Sequence, residues 1–206
     1  MLKKRLGRTG LEVSIIGFGG LKLPLVDKGT ASKVLNRALD LGINYFDTAR
    51  GYEDSEEKMG SAMSERRDEY YISTKSPAMT AGGMEADIRE SLRKLGTDYI
   101  DIYMCHNLRH PSDYEKAMGP GGAMEALREA KDEGVVGHIG FSCHRFHETM
   151  ERGIRSGLFE AVMLSYNVFN DELVDEKVLP LAKSLDVGVI AMKPLAGGAL
   201  ASSLGS

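Results

Sequence analysis

Asp47, Tyr52, Lys75 and His106 are the residues of this 206-residue chain whose types and order suit acid–base chemistry. An apolar run, "INYFDTA" (43–49), carries its first acid at Asp47, and a phenol follows five residues later at Tyr52. Lys75 comes near the end of "YYISTKS" (70–76), and His106 closes "YIDIYMCH" (99–106). A free tyrosine titrates near about 10, too high for a ready proton donor at neutral pH. A nearby ammonium favours the phenolate and lowers that pKa. Asp47 can pair with Lys75 and hold it charged, which makes Tyr52 a tuned general acid. His106 can orient or polarise a carbonyl by hydrogen bonding. A carbonyl protonated on oxygen needs an attacking group at carbon. No serine–histidine pair or metal site is evident, so a hydride from a nicotinamide cofactor is the natural choice.

The elements that must position these residues repeat along the chain. Strand candidates are 14–20, 43–49, 70–76, 99–106, 137–143, 161–167 and 187–194. Helical patterns lie between them, at 31–41, 85–95 and near 55–64, 123–133, 146–156 and 173–185. Gly42, Gly96, Gly134 and Gly157 sit where helices should stop, because glycine tolerates the left-handed conformation. Six βα units and a seventh strand predict an α/β fold with a parallel sheet. Even unit lengths and the lack of a GxGxxG turn favour a (β/α)8 barrel over an open doubly wound sheet. Chemistry in such barrels sits at the C-terminal ends of the strands. Three successive strands deliver Asp47, Lys75 and His106 there, so the groups should converge on one rim.

Composition is ordinary for a soluble globular protein. The chain is 42% hydrophobic and 27% charged with a net charge of −4, which gives no nucleic-acid surface. Two cysteines, Cys105 and Cys143, make no disulfide framework and fit a cytoplasmic setting. The N-terminus is basic and then apolar, like a leader. Arg8, Glu12 and Lys22 break that pattern, and a strand is the better reading. No run is apolar and long enough to cross a membrane. One domain over 1–206 is expected.

Taken together, "RLGRTGLEVSIIGFGG" (5–20), "NYFDTARGY" (44–52), "ISTKS" (72–76), "YIDIYMCH" (99–106), "VGHIGFS" (136–142) and "KPLAGG" (193–198) resemble the aldo-keto reductases in motif and order. The resemblance spans nearly the whole chain. It implies NADPH-dependent reduction of an aldehyde or ketone, or the reverse. Tyr52 would be the proton donor, Lys75 and Asp47 would tune it, and His106 would position the carbonyl. Gly20, Ser142 and Lys193 match positions of cofactor contacts. Cys143 stands where the family usually has asparagine, and Met163 where a glutamine often holds the nicotinamide carboxamide. Met192 stands where an aromatic residue often stacks on the nicotinamide. That variant resembles a branch whose members often add a C-terminal iron–sulfur segment, for which two cysteines are too few. The resemblance also implies an eighth βα unit bearing the residues that grip the NADP 2′-phosphate. Only seven strand candidates can be counted, so an incomplete barrel is expected, prone to self-association or completed by a partner.

Two other classes of function fit these features: a non-catalytic nucleotide-binding regulatory subunit of the same fold, or a fragment of an iron–sulfur electron-transfer reductase. Cys143, His144 and His147 lack a fourth ligand for a metal. Cys105 should point opposite to His106, into packing. "SERRDE" (64–69) reads as a solvated charge run. Residues 107–122 read as a long loop able to shape a substrate pocket, where Arg109 and His110 could meet an acidic substrate, with simple solvent exposure the default reading.

Overall fold

The computed structural model describes residues 1–169 and 172–202. The chain opens with an antiparallel hairpin, β1 (Lys3–Arg5) and β2 (Glu12–Ser14). Seven parallel strands follow in chain order: β3 (Phe18–Gly19), β4 (Tyr45–Asp47), β5 (Tyr71–Ser76), β6 (Ile100–Cys105), β7 (Val136–Cys143), β8 (Ala161–Ser165) and β9 (Gly188–Met192). They curl into a half-barrel with helices outside. These helices are α1 (Lys28–Asp40), α2 (Ser55–Met63), α3 (Ala81–Leu95), α4 (Pro111–Met118), α5 (Ala123–Asp132), α6 (His147–Arg155) and α7 (Leu179–Ser184), then a short α8 (Ala199–Ser202). A π-helical turn, Val174–Val178, leads into α7. Among the described residues no helix is long and apolar enough to cross a membrane.

All seven expected sheet strands are present, and the four expected helix-stopping glycines have positive φ. Three expectations need correction. The candidate strand 14–20 divides in two, because Ser14 belongs to the hairpin and only Phe18–Gly19 pair in the sheet. Its backbone is diverted where Ser14 donates to the Ile16 carbonyl and Asn44 Oδ1 accepts the Ser14 N–H at 2.6 Å. Residues 107–122 are not a simple loop, since they contain α4. Pro111 sits at its first position, and Asp113 accepts the backbone N–H of Arg109 and His110. The run 64–69 is only partly solvated. Arg67 donates to Asp101 at 2.6 Å and to the Tyr70 and Tyr99 carbonyls, fastening the starts of β5 and β6.

Strand alternation sorts the side chains into two sets. Phe46, Ile72, Tyr103, Cys105, Phe141, Cys143, Val162 and Leu164 face outward into one large cluster with the helices. Tyr45, Ile102, Met104, Ala161 and Met163 face inward as a second cluster with Leu6. Leu6 reaches it because the hairpin plugs the N-terminal end of the sheet. Arg5 forms a two-pronged ion pair with Asp186 at 2.8 Å, and Gly7 lies against Gly188. A Cβ on Gly7 would stand 2.2 Å from the Gly188 nitrogen, so only glycine allows this approach.

The turn from β4 to α2 is tied to the sheet by a buried polar network. Arg50 pairs with Glu56, which is 1% exposed, and reaches Asp87 at 3.4 Å. Glu56 also accepts from Thr74 at 2.8 Å, and Ser76 donates to Asp87. The Arg50 backbone N–H donates to the Lys75 carbonyl at 2.9 Å, which binds this turn to the end of β5. Removing one member strands a buried charge, at a cost of about 3–5 kcal/mol. Glu56→Ala should therefore lower the free energy of unfolding by that much, read as a lower urea midpoint at an unchanged m-value. Glu56→Gln, which keeps the shape, should cost less.

Candidate active site

Asp47 closes β4, Lys75 is next to last in β5, and His106 follows β6. In the register Asp47 faces Ser73, and Lys75 faces Met104. Asp47, Ser73 and Lys75 therefore turn to the inner face at neighbouring levels. Lys75 Nζ donates to Asp47 Oδ1 at 2.7 Å, to Asp47 Oδ2 at 2.6 Å and to the Thr48 carbonyl at 2.6 Å. Its side chain is 2% exposed. Tyr45 Oη donates to Ser73 Oγ, which donates to Asp47 Oδ1, each at 2.7 Å.

Tyr52 reaches this pair from the turn after β4. Its backbone N–H donates to the Ala49 carbonyl, and its carbonyl accepts from Ser55. The Lys75 ammonium lies 5.2 Å from the centre of the Tyr52 ring. The His106 ring stands edge-on to it, at 5.9 Å and 84°. The four residues expected to meet are thus brought together at one end of the sheet. Their electrostatics depart from expectation in one respect. Burial, and then the Asp47 charge, push the Tyr52 phenol up to about 12 rather than down. The ammonium spends its three donors on Asp47 and Thr48, so it gives the phenolate no hydrogen bond. Burial first, and then the charges of Lys75, His144 and Arg109, lower His106 to about 4. Its imidazole is neutral near pH 7 and can donate one hydrogen bond.

These residues open on a groove of about 1230 Å³. Tyr52, His106, Arg109, His144 and Lys193 line its rim, and Leu6 and Gly188 line its depth. The five expected cofactor positions divide. Met163 lines the groove, as does Met192, and Lys193 reaches its edge with Nζ 3.0 Å from His144 Nδ1. Lys193 has a positive φ of 58°, a strained choice for a lysine at the end of β9. Ser142 is buried and holds the loop after β6. Its Oγ accepts the Asn107 N–H at 2.7 Å, and its carbonyl accepts the Leu108 N–H at 2.9 Å. Cys143, the next residue, faces outward into the helix cluster, with burial raising its thiol pKa. Gly20 packs against α2 and not the groove. A Cβ there would meet Met59 Cε and Ser55 Oγ at 2.6 Å. Among the described residues no three His, Cys, Asp or Glu side chains gather as metal ligands.

Sequence reasoning missed Ser73, which lies two residues before Lys75 and so shares its face. It also missed the Arg50–Glu56–Asp87 support, whose local signal was Arg50 and Glu56 flanking the candidate turn, with Asp87 arriving from α3.

Residues 15–204 match the family model described as "Aldo/keto reductase family". An uncharacterized oxidoreductase, YqkF of Bacillus subtilis (strain 168), is 31% identical over 214 residues, covering 97% of this chain and 67% of that protein. L-galactose dehydrogenase of Arabidopsis thaliana is 31% identical over 215 residues, covering 96% of this chain and 66% of the relative. The chain therefore spans about two thirds of the length of these relatives. Among solved structures, the holo form of aldo-keto reductase AKR11C1 from Bacillus halodurans superposes with a TM-score of 0.83 at 30% identity. That match covers 96% of this chain and 68% of the other. With the barrel strands in order and the match spanning nearly all of its residues, this chain belongs to the aldo/keto reductase family.

Proposed function

We propose that this chain reduces an aldehyde or ketone to an alcohol with NADPH, Tyr52 serving as the general acid. The observation that carries this reading is the convergence of Tyr52, the Lys75–Asp47 pair and His106 on one groove. The groove suits the cofactor in size, being larger than the roughly 300–1,000 Å³ of an ordinary small-molecule pocket. Met163 and Met192 offer a nicotinamide an apolar wall, and Lys193 offers a phosphate a cation. When bound, the cofactor supplies a hydride to the carbonyl carbon.

The chain's own residues handle the oxygen. His106, neutral, donates a hydrogen bond that orients the carbonyl and draws charge toward oxygen. Tyr52 gives its proton to that oxygen as the C=O π pair leaves carbon. The phenolate left behind faces the Lys75 ammonium across its ring. Lys75 thereby acts on the state formed during transfer, while Asp47 holds it in place beforehand. The product is a neutral alcohol, and solvent returns the proton to Tyr52.

The first check is a fluorescence titration of the chain with NADPH and, separately, with NADH. Micromolar binding that is tighter for NADPH supports the cofactor assignment, and binding of neither by folded chain overturns it. Tyr52→Phe should lower kcat for aldehyde reduction by about 10²–10⁴-fold, with KM changed little. Turnover surviving that change sinks the acid assignment, and wild-type cofactor binding without turnover favours a nucleotide-binding partner subunit.

The raised phenol pKa sets the pH behaviour. Tyr52 stays protonated until pH nears about 12, so the acid is present throughout the working range. Reduction should show no alkaline loss below about pH 9 from this group. Alcohol oxidation needs the phenolate and should climb steadily with pH over the same span. A plateau in oxidation near neutral pH would place the working base elsewhere. Profiles of kcat/KM in both directions decide this.

A further inference from the structure

We propose that the groove selects carbonyl substrates bearing an anionic group, a carboxylate or phosphate, which seats on Arg109; this rests on the reductase reading above. Arg109 lies in the loop between β6 and α4 and lines the groove beside Tyr52, His106 and His144. Its position is built. Asn107 has a left-handed φ of 60° and is pinned by Ser142 through its backbone N–H. With its amide oriented so that the oxygen meets the donors beside it, Asn107 accepts from Arg109 Nε at 2.8 Å and Nη2 at 3.0 Å. That bond steadies the guanidinium along one edge and leaves Nη1 and the second N–H of Nη2 to donate at its end. Asp113, the nearest acid in the chain, is turned to the backbone N–H groups of Arg109 and His110.

The surroundings lack the anion that would balance this cation. Asp47 and Asp186 are the carboxylates on the groove. Asp47 is committed to Lys75, and Asp186 lies at the far end paired with Arg5. Arg109 and Lys193 make no ion pair with any carboxylate among the described residues. His144 is pressed toward its neutral form by burial and then by the charges of Lys193, Arg109, Arg145 and Lys75. It can then accept a hydrogen bond from Lys193, which keeps that ammonium on the far side of the rim. The result is a cationic rim around a neutral acid and a neutral imidazole. A substrate whose carbonyl sits between Tyr52 and His106 meets Arg109 within the same groove. A carboxylate or phosphate there gains a forked, charge-assisted bond, while an uncharged chain end leaves the guanidinium unsatisfied.

The test compares 4-carboxybenzaldehyde with benzaldehyde, using NADPH. Wild-type kcat/KM should favour the carboxylated aldehyde by about ten- to hundredfold. Arg109→Gln should collapse that ratio toward one, and Arg109→Lys should recover part of it. An equal ratio in wild type, or one unmoved by Arg109→Gln, overturns the proposal. Direct titration separates this from failure of the reductase reading. By calorimetry, 4-(hydroxymethyl)benzoate should bind the wild-type chain more tightly than benzyl alcohol, and Arg109→Gln should erase the difference, with or without turnover. An NADPH titration of the same variant distinguishes the sources of the anion. Weakened NADPH binding with the substrate ratio intact would assign Arg109 to a cofactor phosphate and overturn the substrate assignment.

Discussion

A lysine ammonium almost fully removed from water, with every proton directed at a protein oxygen, is the constraint on which this site depends. Burying Lys75 is unfavourable unless its charge is matched, and Asp47 matches it with both oxygens. Because the pair spans β4 and β5, the two strand ends cannot shift separately. The Thr48 carbonyl takes the third proton and draws in the start of the turn that carries Tyr52. Ser73 and Tyr45 complete the account on the other side of Asp47, donating in series to one carboxylate oxygen. Below the turn, Arg50, Glu56 and Asp87 repeat the device with a second set of matched charges. A phenol mounted on a turn held from both sides keeps its distance from the ammonium and the imidazole.

The same saturation explains the direction of the Tyr52 shift. A lysine with free donors would stabilise phenolate by hydrogen bonding and pull its pKa down. Here the ammonium is already bonded to an anion, and the pair together looks nearly neutral from the phenol. Burial and the Asp47 carboxylate then prevail, and the phenol is held protonated. A phenol so shifted is a weaker acid than a free tyrosine, yet it is still more acidic than the alcohol formed when hydride reaches a carbonyl carbon, so the proposed proton transfer remains downhill. The ammonium over the ring face acts most strongly once negative charge develops on the phenol.

Much of this was legible in the residues. Strand-end placement with period-two alternation brought Asp47, Lys75 and His106 to one rim, and glycines after the helices marked the units. Alternation also turned Cys105 outward, as expected. The same rule applied to "SC" at 142–143 would have shown that the two side chains cannot both face the groove, and it is Cys143 that leaves. The hairpin was hidden because 14–20 reads as one apolar strand. Its break depends on Asn44, thirty residues away from Ser14, which no local pattern reveals. Helix α4 was obscured by its length and by having only Tyr114 and Ala117 buried, too few for a periodic stripe. Its signal was capping chemistry, Pro111 with Asp113, and not hydrophobicity. The direction of the Tyr52 shift was not legible at all. It depends on how many donors Lys75 has left, which is a matter of tertiary geometry.

The rim and the floor of the groove have opposite electrostatic designs, and the contrast bears on selectivity. At the floor each charge is matched by a partner, so the local field is set by geometry and changes little when a ligand arrives. At the rim Arg109 and Lys193 stand without carboxylate partners among the described residues, while burial first, and the surrounding cations after it, lower the pKa of His106 and of His144. Protonating either imidazole would add like charge to an already cationic cluster, so the rim is stable with its histidines uncharged. An anion entering there would relieve that repulsion and raise both imidazole pKa values together. In the proposed reaction the floor holds the phenol that gives the proton, and the unbalanced rim is the part that would distinguish one carbonyl compound from another. Arg109 makes no bond to the Lys75–Asp47 pair, so it can vary without disturbing the matched charges beneath Tyr52.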